Sequence, residues 1–324
     1  MATKRAAEPR PSASVIVLSP KNQVLLLHRV KGTSFASAHV FPGGNLDAFH
    51  DGEVPPAADP ARHADGEAYR RAAVRECFEE SGILLARRAD GSLLDVQEEQ
   101  REAARAQVHR GEIRFGEWVE RMGGSADLDG LIPFTRWITP AGAPRRFTTQ
   151  MYLYLLPTTL PIDSAFSLPT PDGGVEHTAA EFAPAAHWLR AHHERRLTMF
   201  PPQYFLLTLL ASYFKGGDDV ERERRRFLEF LARVPTSDDP AARDHPTSWI
   251  PWAEKVMSPR ALRGYEDGSV ALGLDRPGKE VEEQGGGRGG DFERVVVVDL
   301  GKGGPWNFGV RRRADVLEED RGKL

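Results

Sequence analysis

Cysteine is almost missing from this chain: Cys77 is the single one in 324 residues. That excludes an intrachain disulfide framework and a cysteine-based zinc site, and it fits a reducing, intracellular compartment. Long apolar runs are missing too, since no stretch approaches the roughly 18 apolar residues that a membrane span needs, so no membrane partner is expected. Neither sign of charge has a large surplus. Lys and Arg number 43 against 47 Asp and Glu, a formal net charge of -4, so nothing global attracts nucleic acid or anionic lipid, and an anionic substrate must be met by local positive charge. No internal repeat is visible. With 40% hydrophobic and 28% charged residues the composition is that of an ordinary globular chain, which argues against wholesale disorder.

Along the chain, Met1 to Pro11 is basic without the apolar run of a secretory signal and is read as a disordered leader. Two β-rich runs follow, Ser14 to Leu18 and Val24 to Arg29, with a turn between them. Ala38 to Phe41 is a short third strand that Pro42-Gly43-Gly44 terminates in a tight turn. Residues 45 to 66 are rich in Pro, Ala, Asp and Gly without a period, the composition of a surface loop or partly disordered insertion. A helix is then expected from an Asp65 N-cap to a Gly82 C-cap. Further expected elements are one or two charged helices over Glu98 to Met122, strands over Leu131 to Ile138 and Phe147 to Leu156, and helices over Pro184 to Leu197, Pro202 to Phe214 and Val220 to Arg233. Pro133 favours an edge or a bulge in its strand. Residues 236 to 324 are read as an extension, partly flexible, with a glycine tract at Gly285 to Gly290 and a short strand at Val295 to Val298.

The chemistry concentrates on the helix that Gly82 ends. Glu76, Glu79 and Glu80 stand at i, i+3, i+4, so their side chains share one helical face about 5–6 Å apart at Cβ. Three converging carboxylates repel one another unless a cation fills the space between them, and hard oxygen ligands suit Mg²⁺ or Mn²⁺. Arg75, four positions before Glu79, could orient that carboxylate. Glu67, in the first turn, sits where the helix dipole favours negative charge and could reach the cluster or lock the preceding loop.

These residues resemble the Nudix hydrolases, whose box reads G-x5-E-x7-R-E-U-x-E-E-x-G-U with U bulky and apolar. Glu67, seven residues, and then Arg75-Glu76-Cys77-Phe78-Glu79-Glu80-Ser81-Gly82-Ile83 match every position from the first glutamate onward, but 22 residues rather than five separate Gly44 from Glu67. The box is split by an insertion. Six fixed letters at fixed spacing arise by accident on the order of 10⁻⁴ per chain of this length.

The resemblance implies an α+β fold, an α/β/α sandwich with a mixed β-sheet and additional helices, over residues 12–235. It also implies a metal-dependent hydrolase that attacks one phosphorus of a pyrophosphate in a nucleoside-diphosphate-linked substrate. By it Glu76, Glu79, Glu80, Gly44 and Glu67 form the metal set with Mg²⁺ or Mn²⁺, and Glu76 or a loop carboxylate, Glu181 or Glu176, is the general base. The split box, Arg136-Trp137-Ile138-Thr139-Pro140 followed by Pro144-Arg145-Arg146-Phe147-Thr148-Thr149, and Leu156-Pro157 are similar to the peroxisomal acyl-CoA diphosphatase-like branch. That branch implies CoA or acyl-CoA as substrate and adenosine 3′,5′-bisphosphate and a phosphopantetheine as products. Arg145 and Arg146 could then grip the 3′-phosphate by bidentate hydrogen bonds or form a solvated basic turn. ADP-ribose, a dinucleotide, an inositol pyrophosphate or a capped RNA end are other substrates of the same chemistry, and a Nudix-fold binding module is the non-enzymatic alternative.

Gly322-Lys323-Leu324 approaches the S-K-L peroxisomal address, so the compartment is expected to be cytoplasmic or peroxisomal. His187, His192 and His193 lack a second pair at zinc spacing and are read as a solvated face. Trp249-Ile250-Pro251-Trp252 is read as docking the tail onto the domain.

Overall fold

The computed structural model describes residues 6–29, 38–161, 164, 166, 168–172, 177–285, 287–299, 301 and 305–321. The C-terminal tripeptide and Glu176 lie outside these.

The chain opens with strand β1 (Arg10–Leu18), a turn with Asn22 at φ 57°, and strand β2 (Val24–Arg29). Two short strands follow, β3 (His39–Val40) and β4 (Gly43–Asn45), then helix α1 (Ala48–Asp51) and a 3-10 turn at Pro60–His63. Helix α2 (Glu67–Ser81) is next, followed by β5 (Ala86–Arg87), α3 (Glu98–His109), α4 (Phe115–Arg121) and β6 (Ser125–Ala126). Strands β7 (Ile132–Ile138), β8 (Phe147–Leu155) and β9 (His177–Ala183) lead into α5 (Ala185–His193), α6 (Pro201–Tyr213), α7 (Val220–Ala232) and α8 (Pro240–Arg243). The tail adds β10 (Val256–Met257), β11 (Arg260–Gly264), β12 (Ser269–Leu274), α9 (Lys279–Glu283), β13 (Asp291–Asp299), β14 (Trp306–Arg312) and α10 (Arg313–Arg321).

The expected sandwich is present. The main sheet runs β10-β7-β8-β1-β2-β3, with β4 paired to β1 and β9 to β2, and it is mixed: β1 lies parallel to β8 and antiparallel to β4. Side chains alternate across a strand, and β1 is buried on both faces. Val15 and Val17 join the core beneath α2, α3 and α4, whereas Ile16 and Leu18 join the opposite core with α5, α6 and α7. Only Leu18 and Val24 pair β1 with β2, while Ser12 to Ser14 pair instead with Asn45 to Gly43. The two strands therefore part after the hairpin, and the Gly43-Gly44 turn enters beside β1 at that point.

Helix α2 differs from expectation at its start. Its N-cap is Gly66, with no side-chain cap, because the Asp65 carboxylate is taken by Arg70 (Nη2, 2.6 Å) and by the Tyr152 hydroxyl (2.5 Å). Its end is as expected: Gly82 adopts φ 71° and its N–H donates to Phe78 O at 2.9 Å, a left-handed cap that glycine favours. The β7–β8 register slips between Pro133 and Thr135, so Pro133 sits at a bulge, while β10 pairs with β7 only further on, at Arg136 and Trp137.

Four further expectations are corrected. Strand β1 begins at Arg10, so Arg10 and Pro11 are not leader but pair with Phe147 and Thr148. The insertion is built: α1 is capped by Asp47, whose side chain accepts from Phe49 N at 2.8 Å, and both Asp51 and His63 are buried. The tail is largely structured. Strand β10 extends the main sheet alongside Arg136 and Trp137, and β11-β12-β13-β14 form an antiparallel sheet whose Val296, Val298 and Phe308 share the core with α5 and α6. A Cβ on Gly290 would fall 2.3 Å from Leu274 O, so this glycine serves close packing. Trp252 is buried in the same core and Trp249 is exposed, so one half of the Trp-Ile-Pro-Trp segment docks. His192, expected on a solvated face, is buried and stacks at 5.6 Å on Trp306.

Candidate active site

A cleft of about 790 Å³ opens where β1 and β2 part, and Glu76, Glu79 and Glu80 of α2 line it together with Gly43 and Gly44. Each carboxylate has its own surroundings. Glu80 accepts from Gly43 N at 2.7 Å and lies 3.6 Å from His177 Nε2 and 3.9 Å from Arg29. Glu79 accepts from Arg75 Nη1 at 2.8 Å, and its other oxygen is 3.4 Å from His109 Nδ1. Glu76 accepts from Arg75 Nη1 at 2.9 Å and faces Gly44 so closely that a Cβ there would sit 2.4 Å from Oε1. Burial pushes the Glu76 carboxyl up to about 7; Arg75 opposes this and Glu79 adds to it.

Arg75 is the hinge of this arrangement. Burial alone would lower its pKa, but Glu76, Asp51 and Glu79 outweigh that and hold the guanidinium firmly charged. Its partners include Asp51 of the insertion at 2.9 and 3.0 Å, and Asn45 O at 3.1 Å. Asp51 was not singled out in the sequence, nor were His109, Asp172 and Gln203, which also line the cleft. None of the four carries a motif signal, because each arrives from an element whose placement only the tertiary fold decides.

The other expected site residues lie elsewhere. Glu67 is exposed, pairs with Arg71 and does not reach the carboxylates. It stands nine residues before Glu76, about two and a half helical turns, which leaves it at the far end of α2 and on the opposite face. Glu181 is exposed on β9 opposite Leu26. Its neighbours Ala180 and Phe182 pack toward the α2 core, so strand alternation turns Glu181 to the opposite face. Arg146 is buried and donates to Thr139 O (2.9 Å), Ala7 O (2.8 Å) and Glu280 (2.5 Å), so it ties the turn to the tail instead of facing the cleft. Arg145 is exposed and does not line the cleft either. Arg29, from the end of β2, does. Cys77 is buried behind the helix and burial pushes its thiol up to about 12, as a packed residue requires.

The donor set fits a hard divalent cation: three carboxylates face one cleft, and a backbone without side chain at Gly44 leaves a cradle that a Cβ would fill. In the arrangement described the carboxylates are turned to Arg75, Gly43 and their neighbours, and among the described residues no three His, Cys, Asp or Glu groups stand close enough to hold an ion.

Residues 58–210 match the family model described as the NUDT19 Nudix domain. The match spans just under half of the chain and makes it similar to the Nudix family. The match begins inside the insertion, so the Gly43-Gly44 turn lies ahead of the matched residues. It is 30% identical over 214 residues to putative nudix hydrolase 7 of Caenorhabditis elegans, covering 65% of this chain and 63% of that protein. It is 26% identical over 259 residues to the acyl-coenzyme A diphosphatase NUDT19 of Gallus gallus, covering 65% of this chain and 67% of that one. The chain thus spans less than two thirds of the length of the first relative, 63%, and 67% of the second. The crystal structure of a NUDIX hydrolase from Alicyclobacillus acidocaldarius superposes with a TM-score of 0.52 at 24% identity, over 67% of this chain and 96% of that one, which shows a shared fold. Among the described residues no helix is long and apolar enough to cross a membrane.

Proposed function

We propose that this chain is a Nudix-type, Mg²⁺- or Mn²⁺-dependent pyrophosphohydrolase whose substrate is CoA or an acyl-CoA, cut to adenosine 3′,5′-bisphosphate and phosphopantetheine or its acyl ester. The observation that carries the reading is that Glu76, Glu79 and Glu80 line one cleft together with Gly44. The substrate rests on the likeness to the chicken protein named as an acyl-coenzyme A diphosphatase and on a cleft volume in the range of small-ligand sites, roughly 300–1,000 Å³.

Glu76, Glu79 and Glu80 would hold the cation, which when bound neutralises phosphate oxygens and acidifies a water. Arg75 keeps Glu76 and Glu79 in register through one shared nitrogen. Glu76 faces the cleft as Glu181 does not, and we assign it the proton of the attacking water; burial raises its proton affinity. Arg29 lines the cleft as Arg145 and Arg146 do not, which supports assigning it to the phosphate oxygens.

The test is turnover of CoA, acyl-CoAs, ADP-ribose, dinucleotides, inositol pyrophosphates and capped RNA with Mg²⁺ or Mn²⁺. Products are identified by mass, and Glu79→Gln and Glu80→Gln variants are run beside the wild type. Metal-dependent CoA cleavage that both variants lose supports the reading. Turnover of another compound with CoA inert removes the substrate assignment. Ligand binding without turnover, unchanged in both variants, makes the chain a binding module.

A further inference from the structure

Two acidic residues compete for the role of anchor to the carboxylate helix, and the one that matches the family spacing is not the one the fold uses. Glu67 is solvent-exposed and paired with Arg71. Asp51 is 2% exposed and holds Arg75 through both of its oxygens, Oδ1 to Nε at 3.0 Å and Oδ2 to Nη2 at 2.9 Å. Six residues separate Gly44 from Asp51, one more than the box prescribes between its glycine and its glutamate.

A guanidinium has five N–H donors in a rigid fork. In Arg75 two go to Asp51, one to Asn45 O, and the two on Nη1 go to Glu76 and Glu79. The fork is thereby fully committed. This matters because a cation beside metal ligands is also a competitor for them: a guanidinium free to slide inward would take the carboxylates bidentately and exclude the metal. Asp51 draws two of the five donors backward and leaves only one nitrogen for Glu76 and Glu79. The segment that carries Asp51 is itself clasped, since the Asp47 side chain accepts from Phe49 N and Asp51 Oδ2 accepts from Asp47 N at 2.8 Å.

We propose that Asp51, delivered by the insertion, is the positioning residue of this site: its carboxylate fixes Arg75, which sets the placement of Glu76 and Glu79 for the divalent cation. The inference rests on the metal-dependent reading above and names a residue beyond it.

The experiment uses the full chain with Asp51→Asn, Asp51→Glu and Glu67→Gln. Mn²⁺ affinity is measured without substrate by electron paramagnetic resonance, kcat and KM are measured separately, and a thermal midpoint is recorded for each. Loss of an orienting partner typically costs 10–100-fold in metal affinity or activity. Asp51→Asn is expected to lose about 100-fold in kcat and at least tenfold in Mn²⁺ affinity, with KM within about threefold of wild type. Asp51→Glu keeps the charge and recovers about tenfold of that kcat, and Glu67→Gln matches wild type. If Asp51→Asn does not fold, Arg75→Lys carries the test, since lysine keeps the charge but cannot hold both oxygens of Asp51: a folded Arg75→Lys with wild-type kcat and Mn²⁺ affinity overturns the proposal. So does a folded Asp51→Asn that binds Mn²⁺ and turns over as wild type does, an outcome that leaves the metal-dependent function standing. A wild-type chain that neither binds Mn²⁺ nor turns over removes both.

Discussion

Replacing Gly44 by alanine introduces a Cβ 2.4 Å from Oε1, 2.5 Å from Cδ and 2.7 Å from Oε2 of Glu76. No real Cβ sits so close, and the group that has to move is the far end of a flexible side chain. Reaching an ordinary contact of 3.4 Å asks for about 1 Å of displacement. Gly44 has no left-handed φ, so alanine adds no backbone strain, and its smaller unfolded-state entropy offsets some of the crowding, by about 0.4–1 kcal/mol. The fold should therefore tolerate the change. Catalysis should not, because a misplacement of about 1 Å at a reacting centre costs roughly 10²-fold in rate. The assay is metal-dependent kcat on the substrate that the panel selects, beside a thermal melt. The neighbour supplies the contrast: on Gly43 the new Cβ meets Ala13 O at 2.4 Å and Ser14 Cα at 2.6 Å, both backbone. Gly43→Ala should lose stability by about 1–3 kcal/mol through forced shifts of strand β1. If Gly44→Ala retains kcat within threefold of wild type, Glu76 has no exacting position and the account of the cleft is wrong.

Other outcomes follow from the same geometry. Arg146→Ala breaks a buried pair with Glu280 and should destabilise the chain by about 3–5 kcal/mol while leaving KM within twofold, as read by denaturant unfolding and steady-state kinetics; a large rise in KM with an unchanged melt would restore its substrate role. Glu181→Gln should keep kcat within about twofold, since its side chain faces away from the cleft; a fall of tenfold or more refutes that placement. His39, His63 and His192 are each lowered to about 4, mainly by burial, from the ordinary value of 6.5. A histidine that resists protonation in the fold contributes stability above about pH 6.5 that is lost as pH falls toward 4, because the unfolded chain then binds the extra protons. The unfolding midpoint should drop across that window, by on the order of 1 kcal/mol per group, and His192→Phe should flatten the slope; a slope unchanged in His192→Phe argues against a neutral buried imidazole there.

What could be read from the sequence was whatever local chemistry decides. The Gly82 cap follows from a glycine placed after a helical period, and the bulge at Pro133 from a residue without an N–H. The two faces of β1 follow from strand alternation within an apolar run. The tail was harder to read. Its strands are interrupted by glycine and charge, and their apolar partners lie far away in sequence: Phe308 against Tyr204 at 5.0 Å, and Trp252 against Phe134 at 5.8 Å. A segment whose burial depends on surfaces supplied by α5 and α6 shows little of it in its own composition.

The site divides along the same line. Glu76, Glu79, Glu80 and Arg75 are neighbours on one helix, so spacing alone brings them together. Arginines far from that helix were opaque, because a guanidinium serves carbonyl oxygens as readily as phosphates. Arg224 is buried against Ser19 O, Leu156 O and Asn22, Arg136 donates to Arg62 O and Ala64 O, and Arg146 to Thr139 O and Ala7 O. In composition these look like anion-binding residues, yet each closes a buried backbone gap that would otherwise leave a carbonyl without a donor. Asp51 is the converse. It stands in a stretch whose Pro, Ala and Gly content reads as loop, and it is buried where Arg75 donates two N–H groups to it. A split motif is therefore best read from both sides of the break, since the residue that matches the pattern after an insertion need not be the one that inherits its place in the fold.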